Sequence, residues 1–179
     1  MRQYIFGLAA LVVLTGAIFG ASAFTSAEVV RDSSVNVASD SNGIITLAPG
    51  ATSAVTTDSN GELTIDTSGN ADGLNVGANF TFGDNASPTT DPAFSMTNAD
   101  SETRSFTVAY DNVADNEGVN DAIEFIVYDG SGSEVATVDS ANDATISAGA
   151  GSTYHVVIQV NTDGLSSGAD LSGDLVITA

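Results

Sequence analysis

The sequence predicts an all-β fold, an antiparallel β-sandwich, behind a cleavable signal peptide. Three observations carry this. Beyond the N-terminus, apolar residues recur with a period of two. The apolar runs are bounded by clusters of Asn, Asp, Ser and Gly. No sustained helical stripe occurs after residue 23; Ser101–Thr103 and the stretch around Gly164–Asp170 are compatible with a short helical turn at most.

The first element, residues 1–23, reads as the signal. Arg2 opens a short acid-free region, Tyr4–Phe19 is almost wholly apolar, and Ala21-Ser22-Ala23 is the small-x-small pattern a signal peptidase accepts. Cleavage between Ala23 and Phe24 leaves a mature chain without a membrane segment. The competing reading is an uncleaved anchor, since about 20 apolar residues span a bilayer. The absence of a twin-arginine pair favours general secretion of an unfolded chain.

Residues 24–38 form an N-terminal extended segment with two β-prone pieces, Glu28–Arg31 and Ser34–Val37. Val29, Val30, Val35 and Val37 are its candidate pocket-filling side chains. The segment is either the first strand of its own sandwich or a strand offered to a neighbour.

Residues 39–179 are expected to form the sandwich domain. Glu62–Ile65, Asn79–Phe82, Ala93–Met96, Ser105–Tyr110 and Ala122–Val127 alternate as half-buried strands do. Tyr154–Val160 is apolar on both faces and suits a central strand; Gly173–Thr178 is the last strand. Turns are predicted at Ser41-Asn42-Gly43, Ser59-Asn60-Gly61 and Asp129–Gly132, and a long surface loop at Gly83–Pro92. The sequence ends on its last strand, so nothing beyond it is expected to anchor the cleaved protein.

Charge sets the medium. The chain has no lysine and three arginines, against 17 Asp and 6 Glu, for a formal net charge of −20. At ordinary ionic strength such a surface opposes compaction. In molar salt the Debye length falls to roughly 3 Å and the repulsion is screened. The chain therefore reads as adapted to hypersaline surroundings. Cleavage removes Arg2 and leaves only Arg31 and Arg104, so nucleic acid and anionic lipid are not expected partners.

Chemical signatures are sparse. No cysteine exists, which removes disulfides, thiol lipidation and thiolate chemistry. His155 is the only histidine, and neither His-Glu-x-x-His nor Gly-x-Ser-x-Gly occurs. No enzyme is expected, and His155 reads as an outward-facing strand residue. No cofactor is expected either, with calcium as the one candidate: Asp111, Asp115, Glu117 and Glu124 surround Gly118 in an oxygen-rich stretch. Aligned on an EF-hand loop, however, position one falls on Val113, which cannot coordinate. The plainer reading is a solvated acidic surface. Asn79-Phe80-Thr81 and Asn85-Ala86-Ser87 are glycosylation sequons; Asn79 is out of phase with Phe80 and Phe82 and should face solvent, while Pro88 follows the second sequon.

Several segments together resemble a known group. These are Ala-Ser-Ala-Phe at 21–24, Arg31–Ala38, Leu47-Ala48-Pro49, Gly61–Asp66, Gly73–Val76, Ala93–Asn98, Ile146–Gly149 leading into Tyr154–Val160, and Gly173–Ala179. The chain resembles a haloarchaeal family of secreted proteins of uncharacterised function, similar in layout to TasA/camelysin-like biofilm fibre proteins and archaeal bundling pilins. The resemblance implies a jelly-roll-like sandwich completed by the N-terminal strand of the next subunit. It implies copies of the same chain as partners in a filament; a related anchor or cap subunit is a further candidate partner. The expected function is thus a subunit of an extracellular or cell-surface filament. The alternatives are a monomeric cell-envelope module binding a glycan, a cation or a surface protein, and a filament accessory protein.

Overall fold

A computed structural model describes residues 39–40, 42–67, 74–112 and 122–179. The fold is all-β with antiparallel sheets, and no helix occurs among the described residues. Eleven strands follow one another: β1 (Ile45–Pro49), β2 (Val55–Thr57), β3 (Leu63–Ile65), β4 (Asn79–Phe82), β5 (Phe94–Asn98), β6 (Arg104–Asn112), β7 (Ile123–Tyr128), β8 (Glu134–Val138), β9 (Ala144–Ala148), β10 (Thr153–Asn161) and β11 (Gly173–Thr178). Asn79–Phe82 and Gly173–Thr178 agree with the sequence reading to the residue. β1, β2, β8 and β9 are strands that alternation alone did not single out.

The larger sheet has six strands, in the order β1-β5-β10-β7-β8 with β4 also on β10. Its axis is β10, as the two-sided apolar run Tyr154–Val160 predicts. One edge of β10 pairs with β7; the other pairs with β5 through Thr153–Val156 and with β4 through Ile158–Asn161. The smaller sheet runs β11-β6-β9, and β2-β3 form a separate hairpin.

Alternation sorts the side chains. Tyr154, Val156, Ile158 and Val160 of β10 join Phe94 and Met96 of β5 and Phe125 and Val127 of β7 in the main core. Phe106, Val108 and Tyr110 of β6 and Ile146 of β9 enter the same core from the smaller sheet. Each such side chain, fully buried, contributes about 1.5–3 kcal/mol. On the opposite face of the larger sheet, Ile126, Tyr128 and Val157 form a second small cluster. The loop between β4 and β5 is tied there by the Tyr128 hydroxyl, which donates to Asn85 Oδ1 at 3.0 Å.

Two hairpins are built with the same device. Asp58 Oδ1 accepts from the amides of Asn60 and Glu62 at 2.8 and 2.9 Å between β2 and β3. Asp129 Oδ1 accepts from the amides of Ser131 and Ser133 at 2.8 and 3.0 Å between β7 and β8. The carboxylate takes amides that the reversing chain leaves without ladder partners, so Asp recurs at the head of both turns. At Gly50 the chain needs a bare backbone: a Cβ there would overlap the Pro92 carbonyl, and the Gly50 amide donates to Ala93 at 2.8 Å.

Asn98, at the end of β5, is fully buried. Its Nδ2 group approaches the carbonyls of Glu102, Ala148 and Gly149 at 2.8, 2.9 and 3.1 Å, and its Oδ1 accepts from the Asp100 amide at 3.0 Å. One side chain thereby joins the larger sheet to the turn that begins β6 and to the end of β9. Beside it, Arg104 makes an ion pair with Asp100.

Candidate functional site

The two larger sheets do not close over one flank of the core. A groove of about 1050 Å³ opens there. It is lined by Ile123, Phe125 and Ile158 of the larger sheet, by Leu175 and Ile177 of β11, and by Leu63 and Ile65 of β3. Leu47 and Leu74 complete the apolar lining. Leu63, Ile65, Leu175 and Ile177 are only partly buried although they pack against the core.

β11 bounds the groove as an edge. Among the described strands it is hydrogen-bonded to β6 alone, through Gly173–Thr178 paired with Thr107–Asn112. Its outward residues Asp174 and Thr178 are exposed, and Val176 is 40% exposed. Gly173 starts the strand because nothing larger fits: a Cβ there would lie 2.5 Å from the Asp111 carbonyl and 2.7 Å from the Tyr110 ring.

Tyr110, buried in the core, also lines the groove. Its hydroxyl donates to the Leu171 carbonyl at 2.8 Å, which ties the segment before β11 to β6. Burial raises the Tyr110 pKa, and Asp170 and Asp174 nearby raise it further, so the phenol stays neutral and remains a donor. Asp40 Oδ2 accepts from the Leu63 amide at 2.7 Å. The Thr162 hydroxyl, itself buried, accepts from the Ala78 amide at 2.9 Å and sits 2.6 Å from the Asn75 carbonyl, fixing the chain that leads into β4.

The residues singled out from sequence are distributed as follows. Ala23, Phe24, Val29, Val30, Val35, Val37, Asp115 and Glu117 lie outside the described residues. Asp111 is exposed on β6, opposite Asp174, while Glu124 is half-buried on β7 in the other sheet, opposite Gln159. Among the described residues no group of three or more His, Asp or Glu side chains is close enough to hold a metal ion. Asn79 is exposed at the start of β4, and Asn85 is exposed in the following loop.

His155 sits mid-strand between Ser95 of β5 and Tyr128 of β7, out of phase with the core residues Tyr154 and Val156. It is half-buried, its Nδ1 is buried without a hydrogen-bond partner, and burial lowers its pKa. Among the described residues no carboxylate or hydroxyl bonds to it.

Sequence reasoning did not find the groove. Its lining comes from six strands, the segment before β1 and the loops that follow β3 and β10, and each of its apolar residues reads locally as ordinary core. Neither a protein-family model nor a curated protein matches the chain.

Proposed function

We propose that this protein is a secreted structural subunit that assembles into an extracellular filament. In this reading the domain is a jelly-roll-like sandwich, and each copy lends residues 24–38 to the groove of the next. The observation that carries the reading is the apolar groove beside the edge of β11 that no described strand covers.

Edge and groove together suit an extended segment. The six residues of β11 offer about 20 Å of backbone at roughly 3.3 Å per residue, enough for either β-prone piece of the N-terminal segment. Main-chain hydrogen bonds to β11 would supply affinity. Alternate valines, Val35 and Val37 or Val29, would enter the apolar lining. A fourth strand on β11 would also cover an edge that otherwise invites indiscriminate pairing. Residues 24–38 precede Ser39 and Asp40, and Asp40 lines the groove. A contact in which each copy gives to the next is heterologous and open-ended, so it grows a filament. Molar salt screens the acidic copies from one another.

Electron microscopy at about 3 M salt, where charge is nearly fully screened, tests this. The full mature chain is expected to form filaments, and a chain lacking Phe24–Ala38 to remain a soluble monomer with an open groove. Monodisperse full-length monomers would instead favour a monomeric envelope module whose groove is filled by its own segment.

A further inference from the structure

We infer that Asn79 is the N-glycan acceptor of this protein and that Asn85 is not. The inference rests on the export reading, because the glycosyl donor is met outside the cytoplasm. It does not depend on filament formation.

Both sequons satisfy the Asn-x-Ser/Thr rule, so sequence alone does not separate them. The structure does. In the first, Asn79 and Thr81 are exposed and lie on one face of β4, two residues apart, while Phe80 and Phe82 turn to the core. Neither the Asn79 nor the Thr81 side chain is engaged in a hydrogen bond within the described residues. In the second, Asn85 Oδ1 is held by the Tyr128 hydroxyl at 3.0 Å. The Ser87 carbonyl accepts the amides of Thr90 and Asp91 at 3.1 and 2.9 Å, and the next residue, Pro88, is buried. That sequon is folded into a tight, anchored turn.

The surroundings of Asn79 also fit a sugar. Thr81, Gln159 and Glu124 stand in register across β4, β10 and β7, and Asn161 stands opposite Asn79. They line a shallow hollow of about 380 Å³ beside Asn79. A row of amides, a hydroxyl and a carboxylate offers both donors and acceptors to sugar hydroxyls. The hollow lies on the face of the sheet opposite the groove, so a glycan there leaves the groove clear. It would also blunt β4, which among the described strands pairs only with β10.

The transfer balances without an oxidant. Asn79 Nδ2 attacks C1 of an oligosaccharide carried on a polyprenyl phosphate or diphosphate. The C1–O bond to phosphate breaks as the C1–N bond forms, and the phosphate leaves with the bonding pair. The nitrogen gives up one of its two protons to a base of the transferase.

The test is peptide mapping of the protein isolated from the cells that make it. Trypsin is of little use on a chain with three arginines and no lysine, but cleavage at Asp84 separates the two sequons. The peptide carrying Asn79 is expected to bear an oligosaccharide, and the peptide carrying Asn85 none. Asn79→Gln and Thr81→Ala are expected to abolish the added mass, while Thr81→Ser and Asn85→Gln retain it. An exported protein with bare Asn79, a glycan on Asn85 alone, or a modification that survives Thr81→Ala would overturn the inference. A cytoplasmic chain that keeps residues 1–23 would overturn both this inference and the export reading.

Discussion

The rings of Tyr110 and Phe125 meet across the core with centroids 5.1 Å apart and planes tilted by 51°. Tyr110 belongs to the smaller sheet and Phe125 to the larger, so this pair links the two layers beside the groove. A tilted aromatic pair is worth about 0.5–1.5 kcal/mol beyond its buried area. The same tyrosine holds Leu171 through its hydroxyl, and with it the approach to β11. The groove wall and the inter-sheet contact thus share one side chain.

Tyr110→Phe should keep the ring pair and lose the bond to Leu171. A loss of about 0.5–1.5 kcal/mol in chemical denaturation is expected, the usual net worth of a neutral hydrogen bond. Tyr110→Ala should cost about 3–5 kcal/mol, as large-to-small aromatic changes in cores do. A phenylalanine variant as damaged as the alanine variant would show that the hydroxyl, and not the ring, dominates.

Asn98→Leu keeps approximate volume but removes the Asn98 donor from the carbonyls of Glu102, Ala148 and Gly149, of which Gly149 still accepts from the Ser152 amide. Each buried acceptor left unpaired costs about 1–3 kcal/mol unless water reaches it. The variant should therefore melt well below the parent, with faster amide exchange at the ends of β5 and β9. An unchanged melting temperature would mean that this junction is not a structural tie.

Much of the fold was legible because burial on one face writes itself into alternation. Phe94, Met96, Phe125 and Val127 all enter the core from the apolar face that alternation marks. β8 and β9 escaped because Glu134–Val138 has exposed Val135 and only Val138 buried, and Ala144–Ala148 is built of small residues around Ile146. β1 was obscured by Pro49, which an edge strand tolerates. The groove was not legible at all. Leu63 and Leu175, far apart in sequence, both line it, and no local pattern encodes a gap between layers.

The effect of acid on stability should reverse between high and low salt. In molar salt, long-range repulsion is screened and the local hydrogen bonds of Asp58, Asp100, Asp129 and Asp170 remain. These carboxylates are held below their ordinary 3.8 by, first, the Glu62 amide, Arg104, the Ser131 hydroxyl and the Ser172 hydroxyl respectively. A depressed folded pKa adds stability above the unfolded value and loses it as pH falls through the folded value. The melting temperature in molar salt should be level above about pH 5 and decline below about pH 4. At about 50 mM salt the neutral-pH protein should be less stable, and mild acidification should raise its melting temperature by removing repulsion. A salt-independent melting temperature at neutral pH would contradict the role given to the acidic surface.

The central claim concerns where residues 24–38 bind, and the natural absence of cysteine makes a direct measurement simple. Two mature chains of different mass are prepared, one carrying Val37→Cys or Val35→Cys and the other Ile177→Cys. They are unfolded together, returned to molar salt and oxidised. If each copy lends its N-terminal segment to the next, a disulfide-linked heterodimer should dominate for whichever valine faces Ile177. It should vanish when a synthetic peptide of residues 24–38 is added in excess. If the mixture gives no heterodimer, while a single chain carrying both cysteines closes an internal disulfide, the segment fills its own groove and the filament reading is contradicted.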